Sequence, residues 1–171
     1  DSDAVMIGTT HFINALGEAR RLAPTAAIRL GLPATRALPP LVDWPERLTE
    51  AINARSYLAH GGYEFDGRPI SPLDPGELRG IAPELQTAGV RSVAISAVFS
   101  PVNHDLEATA AGIVGGVLGD DVAISLSHEI GRIGLLEREN ATIINAALRE
   151  LASEIVDGLT EAVRAHEIEA P

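Results

Sequence analysis

The chain contains neither cysteine nor lysine, and each absence excludes a class of function. Without cysteine there are no disulfides, no thiolate zinc ligands and no cysteine nucleophile. Without lysine, the chain itself offers neither Schiff-base chemistry nor a Walker P-loop, because both need the ammonium group. Acidic residues outnumber basic ones by 24 to 13, and this net charge of −11 disfavours nucleic acid and anionic membranes as partners. No apolar run is long enough to cross a bilayer, so a cytoplasmic protein is expected.

Short apolar segments alternate with segments of helical periodicity along the 171 residues. Strands are predicted at residues 4–7, 25–30, 92–99 and 122–126. Helices are predicted near residues 12–21, 44–54, 75–88 and 106–118, followed by a long last helix over 135–165. Continuously apolar strands joined by helices indicate an α/β fold, with a mostly parallel sheet covered by helices on both faces.

Residues 56–73 interrupt this alternation. Asp66 and Gly67 stand there between two short β-prone segments, which predicts a small antiparallel hairpin excursion from the sheet. The rest of the chain fits a single α/β domain over residues 1–171. Because the chain begins at Asp1 and its first predicted strand starts at Ala4, we expect this domain to be a fragment of a larger protein.

A Gly-Thr-Thr turn follows the first predicted strand and leads into the first helix. Gly8 allows a tight turn, and the Thr9 and Thr10 hydroxyls with nearby N–H groups are suited to an anion at the helix N-terminus. The simpler alternative is that Thr10 caps the helix, and spacing alone favours it. No GxGxxG motif follows any strand, so a dinucleotide fingerprint is absent.

Three of the five histidines, namely His11, His104 and His128, fall just after predicted strands. Ligands of open α/β sheets bind at the carboxyl ends of the strands, so these positions favour a site. For each histidine alone, a structural or surface role is the better interpretation. The histidines have no partner at the spacing of a metal site, and no GxSxG elbow is present. We therefore predict no metal ligands and no serine nucleophile.

In the last helix an apolar stripe leads toward polar residues near the N-terminus. The stripe contains Ile144, Leu148, Leu151, Ile155 and Leu159. One turn back on that face come Asn140 and Glu137. Either these two side chains line a cleft, or they are the solvated end of the helix, which periodicity alone favours.

Four stretches together resemble the N-terminal region of the hydantoinase/oxoprolinase A-subunit family. They are IGTTHFINAL (7–16), FDGRPISPLD (65–74), VAISAVFSPVNHDLE (93–107) and SLSHEIGRIGLLERENATIINAALREL (125–151). This family includes ATP-dependent N-methylhydantoinase, 5-oxoprolinase and the related acetone and acetophenone carboxylase subunits. The resemblance implies a ribonuclease-H/actin-like ATPase architecture. It also implies an ATP-dependent hydrolase that opens a hydantoin or lactam ring, with ketone carboxylation as the alternative.

The resemblance also implies site residues and partners. The segment with Gly8, Thr9, Thr10 and Asn14 is expected to lie close to the nucleotide cleft. Glu137, Arg138 and Asn145 match the family without an assigned role, and Glu137, His128 and His104 remain weak catalytic candidates. The expected partners are the rest of the parent chain, a B-type subunit and a small cyclic amide substrate.

The chain departs from the family pattern in the segment expected to bind the phosphates of ATP. The glycine- and threonine-rich hairpin that carries the family's first phosphate loop and metal-binding Asp has no match in this chain. We therefore expect ATP and Mg²⁺ to act in the full-length protein, and no nucleotide to be held or hydrolysed by the 171-residue chain alone. Two other interpretations stay open, a non-catalytic docking module and, less favoured, a metal-dependent hydrolase without ATP.

Overall fold

Four parallel strands form the centre of the computed structural model, which describes residues 10–165. They are β1 (Thr25–Leu32), β2 (Arg55–His60), β3 (Ser92–Ala97) and β4 (Ala123–Leu126), and their order across the sheet is β2-β1-β3-β4. Ile28 of β1 pairs with Tyr57 on one side and with Ile95 on the other. The predicted α/β class with a parallel sheet is therefore confirmed, while the predicted strand at 4–7 lies outside the described residues.

Helices cover both faces of this sheet, as predicted. The six helices within residues 10–165 are α1 (His11–Glu18), α2 (Glu46–Ala51), α3 (Pro75–Thr87), α4 (Asp105–Leu118), α5 (Ser127–Ile130) and α6 (Leu135–Ala165). Helices α3 and α4 pack on one face, where Leu78, Leu85 and Val114 are buried. Helix α6 packs on the other face through Ile143 and two alanines. None of these helices is long and apolar enough to span a membrane.

The alternation along β1 separates an apolar face from a partly polar one. Ala26, Ile28 and Leu30 face α3 and α4, and each is completely buried. Burying a side chain such as Ile28 stabilises the fold by roughly 1.5–3 kcal/mol. Ala27 belongs to the opposite face, and the strand period of two places Arg29 there as well. The centre of the sheet therefore carries a buried charge on the face covered by α6.

The predicted excursion at 56–73 is only partly present. Residues up to His60 form β2, an edge strand parallel to β1, and this strand is missing from the sequence prediction. An antiparallel pair remains as a single bridge between Tyr63 and Pro69 around the predicted turn. The error has a physical cause, since an edge strand buries few side chains and β2 has only Ala59 fully buried.

A capping aspartate and a first-turn proline set the start of helix α3. The Asp74 carboxylate accepts a hydrogen bond from the Gly76 N–H at 2.7 Å, and Pro75 occupies the first turn. Glu77 stands at the capping-box position, but its two oxygens bind His60. The start of α3 is therefore tied to the end of β2.

The buried face of α6 differs from the predicted stripe. The buried face shares Leu151 with that stripe, but its other apolar members, Ile143, Ala146 and Ala147, lie about one residue around the helix from Ile144 and Leu148. The predicted stripe consists of large apolar side chains, whereas the face that packs on the sheet contains two alanines, which let the helix approach the sheet closely. Continued toward the N-terminus, the buried face reaches Arg138 and Glu139, rather than Glu137 and Asn140.

Because the phenol of Tyr63 is buried, we expect the fold to lose stability at alkaline pH. Burial raises the pKa of its phenol above 10.0, and the Asp105 carboxylate raises it further. The neutral phenol is thus favoured in the folded chain, so its contribution to stability is complete below pH 10.0 and is lost as the pH rises through the folded-state pKa. In urea unfolding from about pH 8 to about pH 11, wild type should lose more stability than Tyr63→Phe. Equal losses in the two proteins would contradict this expectation, since Tyr57 is common to both.

Candidate functional site

The last residue of β3 is held from both sides by charged side chains. The Ala97 N–H donates to the Glu107 carboxylate at 2.7 Å, and the Ala97 carbonyl accepts from Arg138 at 2.6 Å. Glu107 lies in the first turn of α4 and Arg138 in the first turns of α6. The carboxyl edge of the sheet therefore carries a buried polar network, at the place where ligands of open α/β sheets bind.

Glu107 is completely buried and accepts four hydrogen bonds. One oxygen receives the Ala97 N–H and the Ser127 hydroxyl, the latter at 2.5 Å. The other oxygen receives the backbone N–H of His128 at 3.1 Å and contacts its ring Nδ1 at 2.6 Å. All lone-pair positions of the carboxylate are thereby filled by donors, which is how a carboxylate is accommodated in an apolar interior.

Arg138 supplies the opposite charge and organises the loop before α6. Its Nε donates to the Ser127 hydroxyl at 2.9 Å, so this serine links the guanidinium to Glu107. One terminal nitrogen donates to the carbonyls of Arg132 and Ile133, at 2.7 and 2.9 Å. Burial lowers the pKa of Arg138, and the carboxylates of Glu107 and Glu139 oppose that effect. The cation is therefore compensated by charge and by hydrogen bonds.

His128 is the part of this network that solvent reaches. Its side chain is 18% exposed, and its ring stacks on His104 with centroids 4.6 Å apart. His104 follows β3 and His128 follows β4, so the strand ends bring together two of the three predicted histidines. His11 is the first residue of α1, and the strand predicted before it lies outside the described residues.

A second buried ion pair lies on the face covered by α6. Arg29 of β1 is bidentate to Glu139, with Nε to oxygen at 2.7 Å, and it also donates to the Leu38 carbonyl. The Ser96 hydroxyl donates to the same carboxylate at 2.7 Å. Arg29 and Glu139 are 0% and 2% exposed, so solvent cannot replace either partner.

Of the polar α6 residues named from the sequence, Arg138 joins the network at the sheet edge. Glu137, Asn140 and Asn145 do not. Glu137 is exposed and lines a depression with Gly134 and Arg138. Asn140 accepts a hydrogen bond from the Trp44 indole at 2.8 Å, and Asn145 donates to Ser125 at 3.2 Å. Glu137 therefore lies at the solvated end of the helix, whereas the half-buried Asn140 is held by its hydrogen bond to Trp44.

The predicted nucleotide contacts are described only in part. Gly8 and Thr9 lie outside the described residues. Thr10 and Asn14 are exposed at the start of α1, where the Asn14 N–H binds the Thr10 carbonyl at 2.9 Å. The Thr10 side chain makes no capping hydrogen bond, so the simpler interpretation as a cap does not hold.

The described residues do not fit a complete Mg²⁺–nucleotide site. Within residues 10–165, no group of three or more Asp, Glu or His side chains is placed to hold a metal ion. The buried guanidiniums of Arg29 and Arg138 are fully engaged by protein acceptors. A groove of about 460 Å³ between α1 and α6 shares no residue with the network at the sheet edge. No step through ATP or the metal is therefore assigned to these side chains.

Sequence reasoning missed Glu107, Ser127, Arg29 and Glu139. Glu107 stands in a first helical turn, where carboxylates are common, so nothing local marks it as buried. Arg29 does carry a signal, because it is the one charge inside an apolar strand. Glu139 lies one turn before Ile143 on the alanine-lined face, and counting from that face would have found it.

Residues 1–118 match the family model described as hydantoinase/oxoprolinase N-terminal region. No curated protein sequence matches the chain.

Two solved structures share the fold. An ATP-dependent caprolactamase from Pseudomonas jessenii is 23% identical, with a TM-score of 0.75 over 99% of this chain and 26% of that protein. A nucleotide-free acetone carboxylase is 18% identical, with a TM-score of 0.64 over 89% of this chain and 25% of that protein. The chain thus spans about a quarter of the length of either matched chain.

Proposed function

Since the chain belongs to the hydantoinase/oxoprolinase family, we propose that it is part of an enzyme that opens a hydantoin or lactam ring with hydrolysis of ATP. The observation that carries this proposal is the family match over residues 1–118. The fold shared with a caprolactamase is consistent with it. The substrate is a small cyclic amide, and the remaining parts of the site come from the rest of the parent protein and a B-type subunit.

In such an enzyme, the buried network of this domain keeps the carboxyl edge of the sheet rigid. Glu107 and Arg138 fix the ends of β3 and β4 and the loop before α6. A rigid edge of this kind positions neighbouring groups within the tolerance that catalysis needs. ATP and Mg²⁺ supply activation of the carbonyl when bound in the full-length protein.

The test is an assay of the full-length protein together with its B-type subunit. We expect ADP release that depends on a lactam or hydantoin and is matched by ring-opened product. ADP release that depends instead on acetone and bicarbonate would establish the carboxylase alternative. ADP release with none of these substrates would remove both reactions.

A docking role remains the second candidate because the exposed large apolar side chains include one in the turn after β2 and one on α6. Phe65 in the turn after β2 is 74% exposed, and Val156 on α6 is 60% exposed. Polar substitution of both residues in the parent protein should weaken subunit assembly if docking is the main role. Unchanged assembly with lost activity would count against docking.

The chain alone is expected not to bind Mg²⁺–ATP tightly. Its described residues lack a metal cluster, and the sequence lacks lysine for the phosphates. Isothermal calorimetry should give a dissociation constant weaker than about 1 mM. Tight, Mg²⁺-dependent binding would show that residues outside 10–165 complete the site within this chain.

A further inference from the structure

The carboxyl edge of the sheet carries the same side-chain arrangement twice. In each copy a glutamate in the first turn of a helix binds both the backbone N–H and the ring Nδ1 of a histidine at a strand end. Glu77 holds His60 after β2, with the ring contact at 2.6 Å. Glu107 holds His128 after β4, also at 2.6 Å. Since β2 and β4 are the two outer strands, the copies lie at opposite ends of this edge.

This arrangement determines which ring nitrogen is available. Glu107 already accepts three other N–H or O–H donors, so the His128 Nδ1 carries the hydrogen that points at it. In the neutral ring, Nε2 is then a bare acceptor. Within residues 10–165 this nitrogen has no protein partner, and it is not among buried polar atoms without a partner, so solvent reaches it.

The His128 copy is better built for binding than the His60 copy. Glu107 is 0% exposed, against 31% for Glu77, and the His128 side chain is 18% exposed, against 38% for His60. His104 stacks on one face of the His128 ring, whereas no aromatic ring among the described residues stacks on His60. A hydrogen bond to an acceptor nitrogen that is held in place and shielded from water is stronger than one to a fully hydrated acceptor.

We propose that Nε2 of His128 accepts the ring N–H of the cyclic amide and thereby selects this substrate class. The inference rests on the proposed function and deepens it. A cyclic amide with a free N–H offers a donor beside its carbonyl, which a ketone or an N-methylated amide does not. A site built to bind an N–H rejects analogues that lack it far more strongly than an apolar pocket does. Glu107 is the positioning residue, because it keeps the hydrogen on Nδ1.

The experiment compares pyrrolidinone with N-methylpyrrolidinone as substrates of the full-length enzyme. Wild type should prefer the N–H compound by at least about 100-fold in kcat/KM. His128→Leu should reduce this preference to less than about 10-fold, and His128→Gln, which keeps an oxygen acceptor, should retain part of it. His60→Leu is the matched control and should keep the wild-type ratio.

The outcomes separate the two proposals. If wild type releases no ADP with any lactam or hydantoin, the proposed function fails, and the inference that rests on it fails too. Two results would overturn only the role of His128 in an enzyme that turns over lactams. Either His128→Leu keeps the preference for the N–H compound, or wild type shows no such preference. If His128→Leu does not fold, two other measurements decide. They are the substrate preference of His128→Gln and nitrogen NMR of this chain, which shows which nitrogen of the His128 ring carries the hydrogen. A hydrogen on Nε2 of His128 at neutral pH would overturn the inference.

Discussion

Replacing Glu139 by glutamine is expected to lower the free energy of unfolding by about 3–5 kcal/mol. The substitution keeps the shape of the side chain but leaves the guanidinium of Arg29 without its counter-charge, and Arg29 is completely buried. The Leu38 carbonyl and the single amide oxygen of the glutamine remain as acceptors, so one of the two hydrogen bonds to the side chain is lost together with the charge. Because domains are stable by only about 5–15 kcal/mol, this is a large fraction of the total. Urea unfolding monitored by circular dichroism measures it.

Glu137→Gln provides the matched control on the same helix. Glu137 is exposed, so its loss should change stability by less than about 0.5 kcal/mol. A double substitution, Arg29→Met with Glu139→Leu, should cost much less than the sum of the single changes, because it removes both charges together. Additive losses would mean that the two residues act independently, contrary to their bidentate contact.

Replacing Arg138 by methionine is expected to be similarly destabilising, by about 3–5 kcal/mol. Glu107 would keep a buried negative charge without the nearby cation, and the Ala97 carbonyl would lose the guanidinium donor while keeping the Ser100 N–H at 3.2 Å. The loop before α6 would also lose the hydrogen bonds to the Arg132 and Ile133 carbonyls. Thermal and urea unfolding should therefore show a lower midpoint.

Arg132→Met is the control for this substitution. Arg132 is exposed and its side chain has no recorded partner within the described residues, so a change below about 0.5 kcal/mol is expected. The Arg138 variant should additionally expose the backbone amides around the loop to faster hydrogen exchange. Unchanged exchange there, with an equal stability loss in both variants, would show that the loss does not come from this network.

The sequence predicted those elements whose signals are local. Asp74 and Pro75 mark the start of α3 because a cap and a first-turn proline act within four residues. The strands β1 and β3 are mostly apolar and almost completely buried, since both of their faces are covered. Strand β2 gave no such signal, because its outer edge and much of its surface stay exposed. Elements that depend on neighbours for their burial were the ones missed.

The candidate site was predictable in position but not in composition. The rule that ligands bind after strand ends placed His104 and His128 on one edge, where the structure has them stacked. Glu107 could not be recognised, because its burial is produced by β3, α5 and α6, which come from other parts of the chain. The spacing of the bulky apolar side chains leads back to Glu137, whereas the packed face of α6 is lined largely by alanines and leads back to Glu139.

Helix α6 is anchored at one end and uncovered toward the other. Arg138 ties its first turns to Ala97, and Leu151 is its last fully buried residue. At about 1.5 Å per residue, the stretch from Arg138 to Ala165 spans about 40 Å. A helix of this length acts as a lever, and a rotation of about 5° at the anchored end moves the other end by about 3.5 Å. The packing of the first half of the helix against the sheet, from Arg138 to Leu151, therefore sets the direction in which its far end points.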